Sequence, residues 1–240
     1  MNMKNTSTVV LVPGFWLGGW AWDDVSEHLT RNDIASVPVT LPGLDSPNTR
    51  RDGIGLADHV EAVLDAIRAA ARPVVLVAHS GAGMLASAVL DQEPDLVSRV
   101  VYVESGPVAD ATIARPDLDL ASVEVPLPTW ELLQAGGASL AGLDDDMLRR
   151  FQERAVSHPA GPLREPVRLH NPVRNQVPAT VVCCSFPSVA IRQMVATGNG
   201  MFAPLGDLAA VAYVDLPTGH WPMWSQPEAL AQIIANAAHD

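Results

Sequence analysis

The sequence is short of positive charge and of cysteine. Fifteen Lys and Arg residues face 27 Asp and Glu, a formal net charge of −12. The basic residues are scattered, so the long-range field repels phosphate backbones and anionic lipid. Nucleic-acid binding and membrane-surface roles are excluded on that ground. The two cysteines, Cys183 and Cys184, are adjacent, which rules out an ordinary disulfide framework and the spacing of a zinc site. On an apolar segment they are expected to be small core residues. No metal and no cofactor is expected. Long hydrophobic runs are missing too. The opening stretch "MNMKNTSTVVLVPGFW" has its apolar run cut by Pro13 and Gly14, too short for a signal-peptide core or a membrane span. It is expected to open a soluble, cytoplasmic protein with a strand.

What is present is a core. With 240 residues at 48% hydrophobic composition, the chain suits one large α/β domain over residues 1–240. Short β-branched runs alternate with stretches of helical period, the pattern of a mostly parallel sheet covered by helices on both faces. The expected strands are Thr8 to Val12, Ala35 to Val39, Pro73 to Ala78, Arg99 to Val103, Ala179 to Cys184 and Val211 to Asp215. Their near-continuous hydrophobicity predicts burial on both sides. Helices are expected at Trp20 to Thr30, Leu56 to Ala71, Ala82 to Gln92 and Pro227 to Ala238. Residues 106–178 break the rhythm, with helical pieces near Thr129 to Gln134 and Asp144 to Val156. An insertion of that length predicts a lid or binding loop.

The stretch "VAHSGAG" places Ser80 after an apolar strand and before a helix of small residues, the context of a strained nucleophile turn. Ala78-His79-Ser80-Gly81-Ala82 is small at both flanks where the usual motif has glycine. A plain reading, Ser80 capping a helix, stands beside the catalytic one. The backbone N–H of Gly81 points where an oxyanion would form, and the N–H of Phe15, after Pro13-Gly14, is a second candidate donor. Each such donor is worth about 2.7–4 kcal/mol of transition-state stabilisation. A serine needs a base, and His220 in "DLPTGHWPMW" follows a strand on a loop able to reach over the sheet edge. His28 and His59 fall in helices, as surface or partly packed residues. His158 and His170 belong to the insertion, and His79 is expected to turn away from the serine as a packing residue.

Taken together, "VPGFWLGGW", "AHSGAG" and "TGHWPMWSQP" resemble the α/β-hydrolase superfamily over nearly the whole chain. More narrowly, the sequence is similar to small hydrolases related to plant methylesterases and hydroxynitrile lyases. The resemblance implies the α/β-hydrolase fold, with a lid inserted after the sixth strand, here the strand ending near Val103. It implies a nucleophile at Ser80, a base at His220 and oxyanion donors at Phe15 and Gly81. Two departures matter. The family's acid usually follows the strand "ATVVCC", and Pro187 stands about where it is expected. Glu104 is the replacement this reading favours, since it ends the strand beside that of Ser80; Asp207, Asp215 and the absence of any acid remain open. The lyases carry a lysine after the catalytic histidine, and here that residue is Trp221, which disfavours cyanohydrin cleavage.

The expectation is therefore a serine hydrolase of a small, largely apolar ester or lactone, working through an acyl-enzyme on a small-molecule substrate. Trp16, Trp130 and Trp221 are the expected substrate contacts, whereas Trp20 and Trp22 are expected to be core. A carbon–carbon lyase or hydrolase on the same fold, and a ligand-binding protein without turnover, are the alternatives. Substrate identity and oligomeric state are not legible.

Overall fold

A computed structural model of the chain describes residues 7–198 and 200–239. The first six residues of the expected opening segment lie outside them. Among the described residues eight strands run Thr8–Val12 (β1), Ser36–Pro38 (β2), Val74–His79 (β3), Arg99–Val103 (β4), Glu124–Val125 (β5), His158–Pro159 (β6), Ala179–Cys183 (β7) and Val211–Asp215 (β8). Among the described residues nine α-helices run Asp23–Arg31 (α1), Leu56–Ala69 (α2), Ala82–Gln92 (α3), Trp130–Ala135 (α4), Asp145–Arg154 (α5), Ala160–Arg164 (α6), Ser188–Thr197 (α7), Pro222–Ser225 (α8) and Pro227–His239 (α9). Six strands form one sheet in the order β2-β1-β3-β4-β7-β8, and every pairing in it is parallel.

Strand residues alternate between two cores, because successive side chains leave opposite faces. Val9, Leu11, Val75, Val77, Val101 and Val103 pack with Val25 and Leu29 of α1 and Leu230 and Ile234 of α9. Val10, Val12, Leu76, Ala78, Val100 and Tyr102 pack with Val63 and Ile67 of α2, Val89 of α3 and Ile191 of α7. This double burial is why the central strands read as unbroken apolar runs. The edge strands depart from that expectation, since β2 and β8 are only partly buried. Cys183 and Cys184 are buried free thiols. Burial first, then the charge of Asp215, pushes the Cys183 thiol up to about 12.

Three differences from expectation have physical reasons. The stretch from Trp20 to Thr30 is a 3₁₀ turn over Gly19–Trp22 followed by α1, which starts with Asp23 and Asp24 in its first turn. The segment "SFPSVAIRQ" holds α7, bounded by Pro187 and by Gly198 in the left-handed conformation at φ 63; its single buried residue leaves little helical period to detect. The insertion follows the fourth strand of this chain, not a sixth. It contains α4 and α5, capped by Thr129 and Asp144, the short antiparallel β5–β6 pair and α6. Among the described residues no helix is long and apolar enough to cross a membrane.

Arg51 fastens this insertion to the loop between β2 and α2. Its side chain is 4% exposed. Nε donates to the Ser157 carbonyl at 2.6 Å, Nη2 to Ser46 O at 2.8 Å, and Nη1 to Thr49 O at 2.8 Å and Glu124 Oε2 at 3.2 Å. The guanidinium fork thus satisfies carbonyls from two loops at once. Arg51→Met strands those buried acceptors and is expected to destabilise the protein by about 3 kcal/mol. Urea unfolding reads this as a lower midpoint at unchanged m, and an unmoved midpoint would show that the clasp holds nothing.

Candidate active site

The site grows from two adjacent strand ends. In the β3–β4 register His79 pairs with Val103, so Ser80 and Glu104 are the next residues of neighbouring strands. Both take the left-handed conformation, at φ 52 and φ 47, which costs a non-glycine residue about 1–2 kcal/mol. The sheet enforces these turns. Ser80 N–H donates to Val103 O at 3.1 Å and Glu104 N–H to Val182 O at 3.1 Å, while Ser105 Oγ donates to Ser80 O at 2.5 Å. Each turn throws its side chain up from the carboxyl edge of the sheet.

Ser80 Oγ lies 2.7 Å from His220 Nε2, and His220 Nδ1 lies 3.8 Å from Glu104 Oε1. The three expected triad residues are therefore brought together in the order hydroxyl, imidazole, carboxylate. Glu104 is 5% exposed at its side chain. It accepts from Cys184 N–H at 3.0 Å, from Ser185 N–H at 3.2 Å and from the Ser185 hydroxyl. Among the described residues it is the one carboxylate within 4.0 Å of the His220 ring. The rivals are elsewhere. Asp215 accepts from Ser188 N–H at 2.6 Å and Ser188 Oγ at 2.7 Å at the start of α7, and Asp207 lines a cavity with Tyr102 and Arg174.

Glycines let the other loops close in. A Cβ at Gly14 would lie 3.0 Å from both Ser80 Cβ and His79 Nδ1, and one at Gly81 would lie 2.3 Å from Phe15 Cζ. Bare backbone is thus needed for the Phe15 loop to approach the serine. Among the described residues the backbone N–H groups of Phe15 and Gly81 have no hydrogen-bond acceptor. Two unspent donors beside a hydroxyl–imidazole pair can hold a negative oxygen.

His79 turns away from Ser80 as expected and does more than pack. Its Nδ1 accepts from Gly14 N–H at 3.3 Å, and its Nε2–H donates to the His220 carbonyl at 2.8 Å. One neutral ring therefore ties the Phe15 loop to the His220 loop. Burial, with the neighbouring His220 adding to it, holds His79 down to about 3. The insertion grips the same loops. His220 N–H donates to Ser139 O at 2.7 Å and Gly219 N–H to Ala141 O at 3.0 Å, while Val156 N–H donates to Trp16 O at 3.0 Å.

Trp16 and Trp130 are partly buried, and Trp221 is a core residue, unlike the substrate contact expected of it. Trp16, at φ 65, donates through Nε1 to Val125 O at 3.0 Å. Trp130 packs on Phe151 with centroids 5.4 Å apart. Trp221 is 3% exposed and meets the His220 ring edge to face at 4.9 Å. None of the three lines the small cavity behind Phe15 and Gly81, whose wall includes His59, Met84 and His158. His59 is buried, not at the surface. Its helical position carried no signal of this, nor did the sequence reveal Ser185 as a partner of Glu104.

A family model described as the alpha/beta hydrolase family matches residues 9–233. Methylesterase 7 of Arabidopsis thaliana is 31% identical over 113 residues, which span 43% of this chain and 41% of that protein. Among solved structures, an extracellular alpha/beta-hydrolase from a Paenibacillus species superposes with a TM-score of 0.74 at 19% identity, covering 98% of this chain and 100% of the other. A pyrethroid hydrolase from Sphingobium faniae superposes with a TM-score of 0.68 at 19% identity, covering 97% of each.

The buried rings set an acid limit. His79 is held to about 3, and His59 and His158 are also lowered, chiefly by burial. Below about pH 6.5 the unfolded chain takes up protons that the folded chain refuses, so stability is full above that pH and falls below it. The slope is about 1.4 kcal/mol per pH unit for each such ring. Thermal melts at about pH 7.5, 6 and 5 are expected to show a falling Tm, and a flat Tm would mean that these rings protonate in place.

Proposed function

Because the chain belongs to the alpha/beta hydrolase family, we propose that it is a serine hydrolase cleaving a small, largely apolar ester or lactone, with residues 106–178 as its cap. The observation that carries this reading is the 2.7 Å contact between Ser80 Oγ and His220 Nε2, at a strained turn beside two unspent backbone donors. Similarity to a methylesterase and to a pyrethroid hydrolase supports the ester as substrate class.

The mechanism follows from the protons. Nε2 of His220 accepts from the serine hydroxyl, so the neutral ring carries its proton on Nδ1, facing Glu104. As Ser80 Oγ bonds to the substrate carbonyl carbon, its proton passes to Nε2 and the charge of the imidazolium is balanced by Glu104. The carbonyl oxygen becomes an oxyanion held by Phe15 N–H and Gly81 N–H. Collapse breaks the bond to the leaving alkoxide, which takes the proton from Nε2. Water then repeats the sequence against the acyl-serine, with His220 as base, and frees the acid. His79 is a positioning residue here, since it fixes the His220 backbone against the Phe15 loop.

A carboxylate from Glu104 beside His220 supports turnover over ligand binding alone, although the loop after β7 carries none at Pro187.

Fluorophosphonate labelling tests the reading. Wild type is expected to label, and Ser80→Ala and His220→Ala are expected to lose the label; folded wild type that stays unlabelled overturns the assignment. Glu104→Gln is expected to lower kcat on short p-nitrophenyl esters by about 10⁴-fold, as removal of a triad acid does. A kcat near wild type would sink Glu104 as the acid.

A further inference from the structure

Two buried imidazoles take no part in the chemistry above, His59 on α2 and His158 in β6 of the cap. They are 1% and 2% exposed, and their rings meet edge to face with centroids 5.4 Å apart and planes at 88°. Both line a cavity of about 10 Å³ that is bounded by Gly14, Phe15 and Gly81, the loops carrying the oxyanion donors. The opposite wall is apolar, with Leu41, Leu56, Met84 and Leu85.

Hydrogen bonds fix where the protons of these rings lie. Trp16 N–H donates to His158 Nδ1 at 3.4 Å, which leaves the proton of the neutral ring on Nε2. The ring stays neutral, because burial, His59 and Arg51 all oppose its protonation. His59 donates through Nε2–H to the Pro42 carbonyl at 2.9 Å, which leaves a lone pair on Nδ1. Among the described residues, neither His158 Nε2 nor His59 Nδ1 has a hydrogen-bond partner. The wall of this largely apolar pocket thus includes two rings in contact, one with an unspent donor and one with an unspent acceptor. A hydroxyl answers both, accepting from His158 Nε2–H and donating to His59 Nδ1. A cavity of about 10 Å³ holds one group of water size.

We propose that this cavity receives the hydroxyl of a short hydroxyacyl group, selected by the His158–His59 pair, so that the preferred substrate is an ester of a short hydroxy acid. The proposal rests on Ser80 being the nucleophile. It makes His158, supplied by the cap, a specificity-determining residue: an acyl group without the hydroxyl leaves the donor and acceptor dry, and a site built for a hydrogen bond rejects the analogue lacking it.

The test is a pH-stat comparison of ethyl lactate with ethyl propionate, and of both enantiomers of ethyl 3-hydroxybutyrate with ethyl butyrate. Wild type is expected to favour at least one hydroxy ester about tenfold or more in kcat/KM. In His158→Leu that ratio is expected to fall to within about twofold, and in His158→Gln, whose amide keeps a donor, part of it is expected to return. A merely structural role for His158 beneath Trp16 would lower both esters of a pair together and leave the ratio unchanged. That result overturns the proposal, and so does a wild type with no preference, in which the cavity holds only a water. Should His158→Leu fail to fold, the wild-type ratio and His158→Gln still decide. Turnover that survives Ser80→Ala removes the nucleophile itself, whereas a labelled, active protein without the preference removes this subsite alone.

Discussion

The site depends on a pair of left-handed turns at the same level of the sheet. Ser80 and Glu104 at φ 52 and φ 47 each adopt a backbone that a non-glycine residue avoids, and strain of this kind persists only where surrounding structure enforces it. Here the enforcement is the parallel ladder. The β3–β4 register brings both strands to their ends together, and hydrogen bonds from the Ser80 and Glu104 amides to the next strand carry the pairing one residue further. Above each turn the strand must stop, so hydroxyl and carboxylate rise side by side. Neither placement survives a one-residue slip, since a slip would exchange the two core faces of β3 and β4.

Around that fixed pair, the loops are joined by polar contacts inside an apolar shell. His79 bonds Gly14 and the His220 carbonyl, one contact on each ring nitrogen, a bridge that works only for the neutral ring. Residues 106–178 are tied into the same set of contacts. They receive the His220 and Gly219 amides at Ser139 and Ala141, give the Val156 amide to Trp16, and are themselves held by Arg51 through Ser157 and Glu124. Glu165 continues the fastening by accepting from Leu56 N–H at the start of α2 at 2.7 Å. The His220 loop, the Phe15 loop and residues 106–178 are therefore held to one another by hydrogen bonds.

Much of this was legible in the sequence because one physical cause dominates each legible feature. Burial on both faces makes the central strands apolar throughout, and the small residues around Ser80 announce a tight strand-to-helix turn. The edge strands and α7 were harder for the same reason reversed, since partial exposure removes the apolar period that marks an element. Pro187 and Gly198 did bracket α7, so boundary signals existed where the periodic signal was weak. The partners of Glu104, the bridge through His79 and the pocket wall at His59 and His158 join residues far apart in the chain. No local pattern encodes which distant donor meets which acceptor.

If Glu104 is the acid, as proposed, the loop after β7 has a different task. When a carboxylate stands on that loop, the loop's own conformation sets its approach to the base. In this chain the carboxylate comes from β4, next to the nucleophile strand, and the loop after β7 supplies donors instead: Cys184 N–H, Ser185 N–H and the Ser185 hydroxyl. These donors fix both carboxylate oxygens, so Glu104 is oriented from behind while Oε1 faces His220 at 3.8 Å. That gap exceeds a hydrogen bond, and contacts of this kind tighten when the imidazole gains charge during reaction. Pro187 on this loop opens α7. Ser80 and Glu104 thus both stand at the ends of β3 and β4, in the middle of the sheet.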